Sequence, residues 1–254
     1  NWLIKDSDSS KYLNKDGLHL SVVKEAFKYA IENFDSGKIG LVKFVQFLQY
    51  ICKDTTVKVI ASSDNQTKII YDKIQLEGFE SLPAIDDNYL HSLENYQSIL
   101  ATGNPRIRII NKEEFNQILS VILSLKDKIH TLESLLEDIS NIYPDISHEH
   151  INQCTLSLVY TGILNSNNQE KLISQQSFSL NPAYSDSEKI CHHLQESIKE
   201  KLVTFLGDNL NPETLKNITN EIVFEEDNVQ EIINEIKTFL DKAQYKDAQS
   251  LLVK

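Results

Sequence analysis

The stretch Phe115–Tyr143 reads FNQILSVILSLKDKIHTLESLLEDISNIY. Apolar residues fall at Phe115, Ile118, Ile122, Leu125, Ile129, Leu132, Leu136, Ile139 and Tyr143, in steps of three and four. That spacing is the seam of an amphipathic helix. Asn111 offers an N-cap, with Glu114 three residues on as in a capping box. Pro144 stops the run, because the residue before a proline avoids the helical region. The pattern predicts one long helix over about residues 112–143, roughly 48 Å long at the usual rise. Leu119, Val121, Leu135 and Ile142 beside the seam are apolar too. A free two-stranded coil carries charges there, so a helix packed in a bundle is expected.

Working outward, the seven glycines and five prolines fall between periodic segments, which favours an all-α fold. A helical hairpin is predicted from Ser21–Phe34 and Leu41–Cys52. Val22, Val23, Ala26, Phe27, Ala30, Ile31 and Phe34 form the first apolar face. Thr55–Ile60 is β-branched and reads as a short strand or an extended link. Gln66–Gln75 reads as helical. Asp86–Ala101 reads as one helix, opened by two aspartates and closed by Gly103. Pro105–Ile110 alternates like an extended segment. Cys154–Leu164 suits a strand or a buried helix, and Asn165–Tyr184 a polar loop or short helix. Ser185 can cap a helix reaching Leu206, with Gly207 past its end. Asn211-Pro212-Glu213 starts another helix. Asp227 starts a further one, and Tyr245–Val253 closes the chain. The expected organisation is a helical subdomain over 1–110, then the long helix with a C-terminal helical subdomain over 111–254, or one continuous domain.

The 254 residues carry a net charge of −12. Arg106 and Arg108 are the only arginines. Phosphate neutralisation needs a basic face, so nucleic acid and anionic membranes are disfavoured and a basic protein partner is expected. No apolar run is long enough to span a bilayer, and no secretory signal opens the chain. Three spaced cysteines, Cys52, Cys154 and Cys191, read as reduced thiols of a cytoplasmic protein. Asn65-Gln66-Thr67 and Asn217-Ile218-Thr219 are then chance glycosylation matches. The chain lacks methionine, so it is expected to be a piece of a longer protein.

Catalytic motifs are absent: no nucleophile elbow, phosphate loop, dinucleotide fingerprint or zinc-protease helix. Catalytic, cofactor-binding and metal residues are therefore expected to be none, and the protein-interaction residues are unspecified. Two patterns deserve a ligand count. Glu25–Leu48, EAFKYAIENFDSGKIGLVKFVQFL, looks like an EF-hand with Gly37 at loop position six. Its ligand positions hold Glu32, Phe34, Ser36 and Lys43, too few oxygens for calcium. His148, His150, Cys154, Cys191, His192 and His193 are zinc-type ligands, but their spacing matches no zinc module. Asp86-Asp87 and Glu225-Glu226-Asp227 read as helix starts.

Three stretches resemble the IQGAP family of cytoskeletal scaffolds. In Pro105–Ile129 the similar features are Pro105, Ile107, Ile109, Glu114 and Leu119 to Leu125. In Ile129–Asp145 they are Leu135-Leu136-Glu137-Asp138. In Cys154–Leu164 and Ser187–Leu215 they are Thr155, Leu156, Leu158, Gly207, Glu213, Thr214 and Leu215. The resemblance covers about half the chain, and residues 1–104 match poorly. It implies the later part of a GAP-related region, an all-helical relative of RasGAP domains. Such a region binds small GTPases of the Rho and Rac type, or other actin and cytokinesis proteins, without stimulating GTP hydrolysis. It also implies a cytoplasmic place at the cytoskeleton or cell cortex. The arginine-finger loop is missing, and Asn181-Pro182-Ala183 follows the long helix where the family has such a word before it. The alternatives are an unrelated helical effector or tether, and an EF-hand-like or metal-binding protein.

Overall fold

A computed structural model describes residues 2–125, 130–167 and 172–222. The fold is mixed α/β with two antiparallel sheets, and this overturns the all-α expectation. The chain forms two compact units. The first holds the residues up to Ile99 together with Thr204–Leu210. The second holds Leu100–Val203 together with Asn211 and the described residues after it.

The first unit runs α1 (Trp2–Lys5), α2 (Ser7–Leu13), β1 (Leu18–His19), α3 (Leu20–Ala30), α4 (Phe44–Ile51), β2 (Val57–Ser62), β3 (Thr67–Tyr71), β4 (Phe79–Ser81), α5 (Asp87–Leu90) and α6 (Leu93–Leu100), whose last residue belongs to the second unit. Its sheet has the order β1-β3-β2-β4. The register pairs Val59 with Ile69 and Val57 with Tyr71. Gln66–Gln75 is therefore not helical. Thr67, Ile69, Ile70 and Tyr71 suit a pleated surface, and β2 supplies their partner. Asn65 turns the hairpin at φ +63°, a left-handed conformation that asparagine tolerates. The expected helix Asp86–Ala101 is two helices. Asp86 caps α5 by accepting from the Tyr89 N–H at 3.2 Å. Ser92 Oγ then accepts from the Asn95 N–H at 3.1 Å and opens α6.

Between α3 and α4 the chain makes a 3₁₀ turn over Ser36–Ile39, where Asp35 Oδ1 accepts from the Gly37 N–H at 2.9 Å. Gly40 follows at φ +83°, and a Cβ there would stand 2.5 Å from Leu206 Cδ2. Both facts demand glycine. Fully buried Asn95 holds this turn, donating from Nδ2 to the Gly40 carbonyl at 2.9 Å and the Leu90 carbonyl at 3.0 Å. Asn95→Leu removes both donors from a buried site. Its expected cost is about 2 kcal/mol, the penalty for orphaned buried carbonyls. A urea-unfolding midpoint unchanged from wild type would refute that role.

The second unit continues with α7 (Lys112–Ser124), β5 (His130–Thr131), α8 (Leu132–Ile142), α9 (His148–Tyr160), β6 (Leu164–Ser166), β7 (Ser177–Leu180), α10 (Ser187–Leu206), whose last three residues belong to the first unit, and α11 (Pro212–Asn220). The long helix over about 112–143 does not form. Leu125 ends α7. Thr131 pairs with Ser177 in a ladder, and its Oγ1 caps α8 by accepting from the Ser134 N–H at 3.1 Å. Two amphipathic helices thus share one three-four spacing, and the spacing alone does not show the break. Ile129 of the seam lies outside the described residues. The N-cap at Asn111 holds, with its Oδ1 accepting from the Glu114 N–H at 2.9 Å.

The second sheet has the order β5-β7-β6. Along β7, Phe178 and Leu180 are buried while Ser177 and Ser179 are half-buried, the alternation of a strand. The expected loop or helix over Asn165–Tyr184 thus contains a central strand. Cys154–Leu164 resolves into the end of α9, a turn and the start of β6. Asp186, not Ser185, caps α10, with Oδ1 accepting from the Lys189 N–H at 2.9 Å. α7, α8 and α9 pack on one another. Buried Phe115, Ile118, Leu135, Ile139, Ile151 and Leu158 line their inner faces. The helices expected from Asp227 and over Tyr245–Val253 lie outside the described residues.

Candidate functional site

In the first unit a cleft of about 520 Å³ opens beside the end of the β2–β3 ribbon. Asn14, Thr55, Thr56, Tyr71, Asp72 and Lys73 line it. A smaller cleft of about 190 Å³ shares Thr55 and Asp72 and adds Cys52, Lys53 and Lys58. Lys58 Nζ donates to the Asp72 carbonyl at 2.7 Å, and the Tyr71 and Ser10 hydroxyls lie 3.2 Å apart. Nearby, Tyr50 donates to Asp87 Oδ1 at 2.8 Å, which with the Lys53 ammonium holds that carboxyl below its usual range. These walls offer hydrogen bonds. The Cys52 thiol is pushed up by burial, which makes it a poor nucleophile.

The same unit carries an apolar stripe on the outer side of α3. Val22 and Tyr29 stand seven residues apart, on one side of the helix. They are 53% and 88% exposed, and Ile31 at the helix end is 46% exposed. Val23 and Phe27 turn the other way, into the core. The single apolar face expected for this helix is therefore two faces, one buried and one open.

The EF-hand-like segment is built as an aromatic corner. Phe34, at a ligand position of the loop, packs on Phe27, Phe44 and Phe47 with centroids 5.2–5.9 Å apart. Lys43, at the last ligand position, is the N-cap of α4. Of the zinc-type residues, His150 and Cys154 share a helix and both neighbour Glu114. His150 Nδ1 lies 2.7 Å from Glu114 Oε2. The Cys154 thiol is pushed up to about 12, first by burial and then by the Glu114 charge. Such a thiol is inert as a nucleophile. His193 Nε2 lies 2.9 Å from the Thr161 carbonyl oxygen, so Nε2 carries the proton and donates. Its ring lies against Tyr184, tilted by 30° with centroids 4.6 Å apart. His148 and His192 are exposed, and Cys191 is buried. Among the described residues no three His, Cys, Asp or Glu side chains are grouped to hold a metal.

One electrostatic feature escaped the sequence. Lys201 on α10 is only 7% exposed. Its ammonium donates to the Leu100 carbonyl at 2.8 Å and to the Thr102 and Pro105 carbonyls. It thereby fastens the segment that enters Arg106–Ile110. Its sequence signal is position: Lys201 stands seven residues after Leu194 and three after Ile198, on the apolar stripe.

Compared with protein-family models, characterised proteins and solved structures, the chain matches none. No helix among the described residues is long and apolar enough to cross a membrane.

Proposed function

We propose that this chain is a non-catalytic interaction module that binds a protein partner, a small GTPase of the Rho or Rac type, without stimulating GTP hydrolysis. The observation that carries the reading as a binding module is the open stripe of Val22 and Tyr29, with Ile31 exposed at the C-cap, on a helix whose other face is anchored in the core. Exposed tyrosine beside aliphatic surface is the chemistry of a protein-docking patch. The net charge of −12 favours a partner with a basic face. The partner class comes from the resemblance over Pro105–Asp145, Cys154–Leu164 and Ser187–Leu215. The all-helical GAP-related architecture is not part of this reading. A place in the cytoplasm, at the actin cortex, follows from the same resemblance and belongs to the proposal.

A pull-down with GDP- and GTP-loaded Rho-type GTPases tests it, with wild type beside Tyr29→Asp. Retention of a GTP-loaded GTPase by wild type, weakened about tenfold or more in Tyr29→Asp, is the expected result. GTP hydrolysis by the bound GTPase is expected to keep its intrinsic rate. No retention across the panel would remove the GTPase from this reading. Retention unchanged by Tyr29→Asp would remove the stripe.

A further inference from the structure

Arg106 and Arg108 are the only arginines in a chain with 37 acidic residues. Both are exposed, while Ile107 between them is buried. Residues 106–110 carry no helix, turn or ladder. The burial pattern over 106–108 is that of an extended chain, so the two arginine side chains leave the same side with their backbone roots roughly 6–7 Å apart. Among the described residues neither arginine side chain has a hydrogen bond or an ion pair. In so acidic a chain, unpaired arginines are unexpected.

Their backbone, by contrast, is tightly held. The Ile107 N–H donates to the Leu100 carbonyl at 2.9 Å. The Arg108 N–H donates to Ser157 Oγ at 2.8 Å. Ile107 and Ile110 are sunk in the core. Lys201 grips the Pro105 carbonyl just before Arg106 and adds a third positive charge to the neighbourhood. The result is a fixed rail that presents two forked donors. Arginine binds carboxylate and phosphate oxygens in pairs, and a preorganised backbone lowers the ordering cost of such binding.

We propose that Arg106 and Arg108 form an anion clamp for an extended peptide segment of a partner, bearing oxyanion side chains two residues apart. An extended segment repeats at the same 6–7 Å, so an acid-x-acid word places one anion at each guanidinium. The oxyanions are either carboxylates or phosphates on serine. The net charge of −12 disfavours such a segment elsewhere on the chain. This inference is independent of the stripe on α3 and of the GTPase reading.

Fluorescence anisotropy of the whole chain with short labelled peptides tests it. The peptides carry Glu-x-Glu, phosphoserine-x-phosphoserine, adjacent Glu-Glu, or Gln-x-Gln. At least one of the first two is expected to bind, and which of them binds more tightly names the source of the oxyanion. The Gln-x-Gln peptide is expected to be silent and the adjacent Glu-Glu peptide weaker. Arg106→Gln and Arg108→Gln should each weaken binding about tenfold, and Arg→Lys should restore it only in part, because lysine cannot make the paired contact. Both residues are exposed, so unchanged thermal melts are expected for all four variants. Equal binding of all anionic peptides regardless of spacing, equal binding by the arginine variants, or no binding of either oxyanion peptide would overturn the clamp.

Discussion

Lys201→Met is expected to destabilise the protein by about 3 kcal/mol or more, since several buried carbonyls lose a charged donor at once. Methionine matches the length of the lysine stem and fills the same space. The loss therefore isolates the ammonium. The Leu100 carbonyl keeps a second donor, the Ile107 N–H at 2.9 Å, so the cost falls mainly at Thr102 and Pro105. The pH dependence separates this role from simple packing. Burial, helped by the Arg106 charge, pulls the Lys201 pKa down to about 8 from its usual 10.5. Between those values the unfolded chain holds a proton that the folded chain has released. Stability contributed by this residue therefore rises with pH from about 8 to about 10.5 and is flat below about 8. The difference in urea-unfolding free energy between wild type and Lys201→Met should widen over that window. A variant within about 1 kcal/mol of wild type, with a parallel pH profile, would show that water can serve those carbonyls as well as the lysine does.

How far the residues announced this fold depends on which signal is followed. Local chemistry was legible. Asn111, Asn211 and Asp86 cap helices where their residue types promise caps. Gly103 and Gly207 take positive φ past helix ends, at +68° and +52°. Periodicity misled where two elements share one phase. The three-four spacing runs from α7 into α8 with no mark of the break, because the deciding facts are Thr131 capping the next helix and pairing with Ser177, a residue 46 positions on. Strand β3 was hidden for a similar reason. Lys68 and Gln66 belong to helices as readily as to strands, and only the partner strand Val57–Ser62 settles the matter. The candidate sites were less legible still. Neither the exposure of Tyr29 nor the burial of Lys201 follows from residue type. Each is fixed by which side of its helix the rest of its unit covers. The arginine pair was visible as a composition fact, but its meaning depended on Ile107 being buried between the two.

The largest loss is expected from Phe47→Ala, about 3–5 kcal/mol for deleting a buried ring. Phe27, Phe34, Phe44 and Phe47 touch in every pairing, with centroids 5.2–6.0 Å apart. Phe47 meets Phe27 edge-on at 87° and stacks on Phe44 at 18°. Edge-to-face contacts add about 0.5–1.5 kcal/mol beyond area burial, so the rings should be coupled. The Phe34→Ala, Phe47→Ala double variant should thus lose less than the sum of the two single losses, because each deletion already removes the shared contact. Phe47→Leu, which keeps most of the apolar volume, should recover the larger part of the stability. Strict additivity would mean that the rings pack as independent apolar volume. The cluster also ties stability to the proposed binding surface. Phe27 anchors the inner side of α3, whose outer side carries Val22 and Tyr29. Phe47→Ala should therefore weaken partner binding in proportion to the fraction unfolded, and a stabilising osmolyte should restore it. Tyr29→Asp should weaken binding about tenfold or more with the unfolding midpoint unchanged. Only a stripe that contacts the partner directly, on a helix held by the four rings, gives that pair of outcomes.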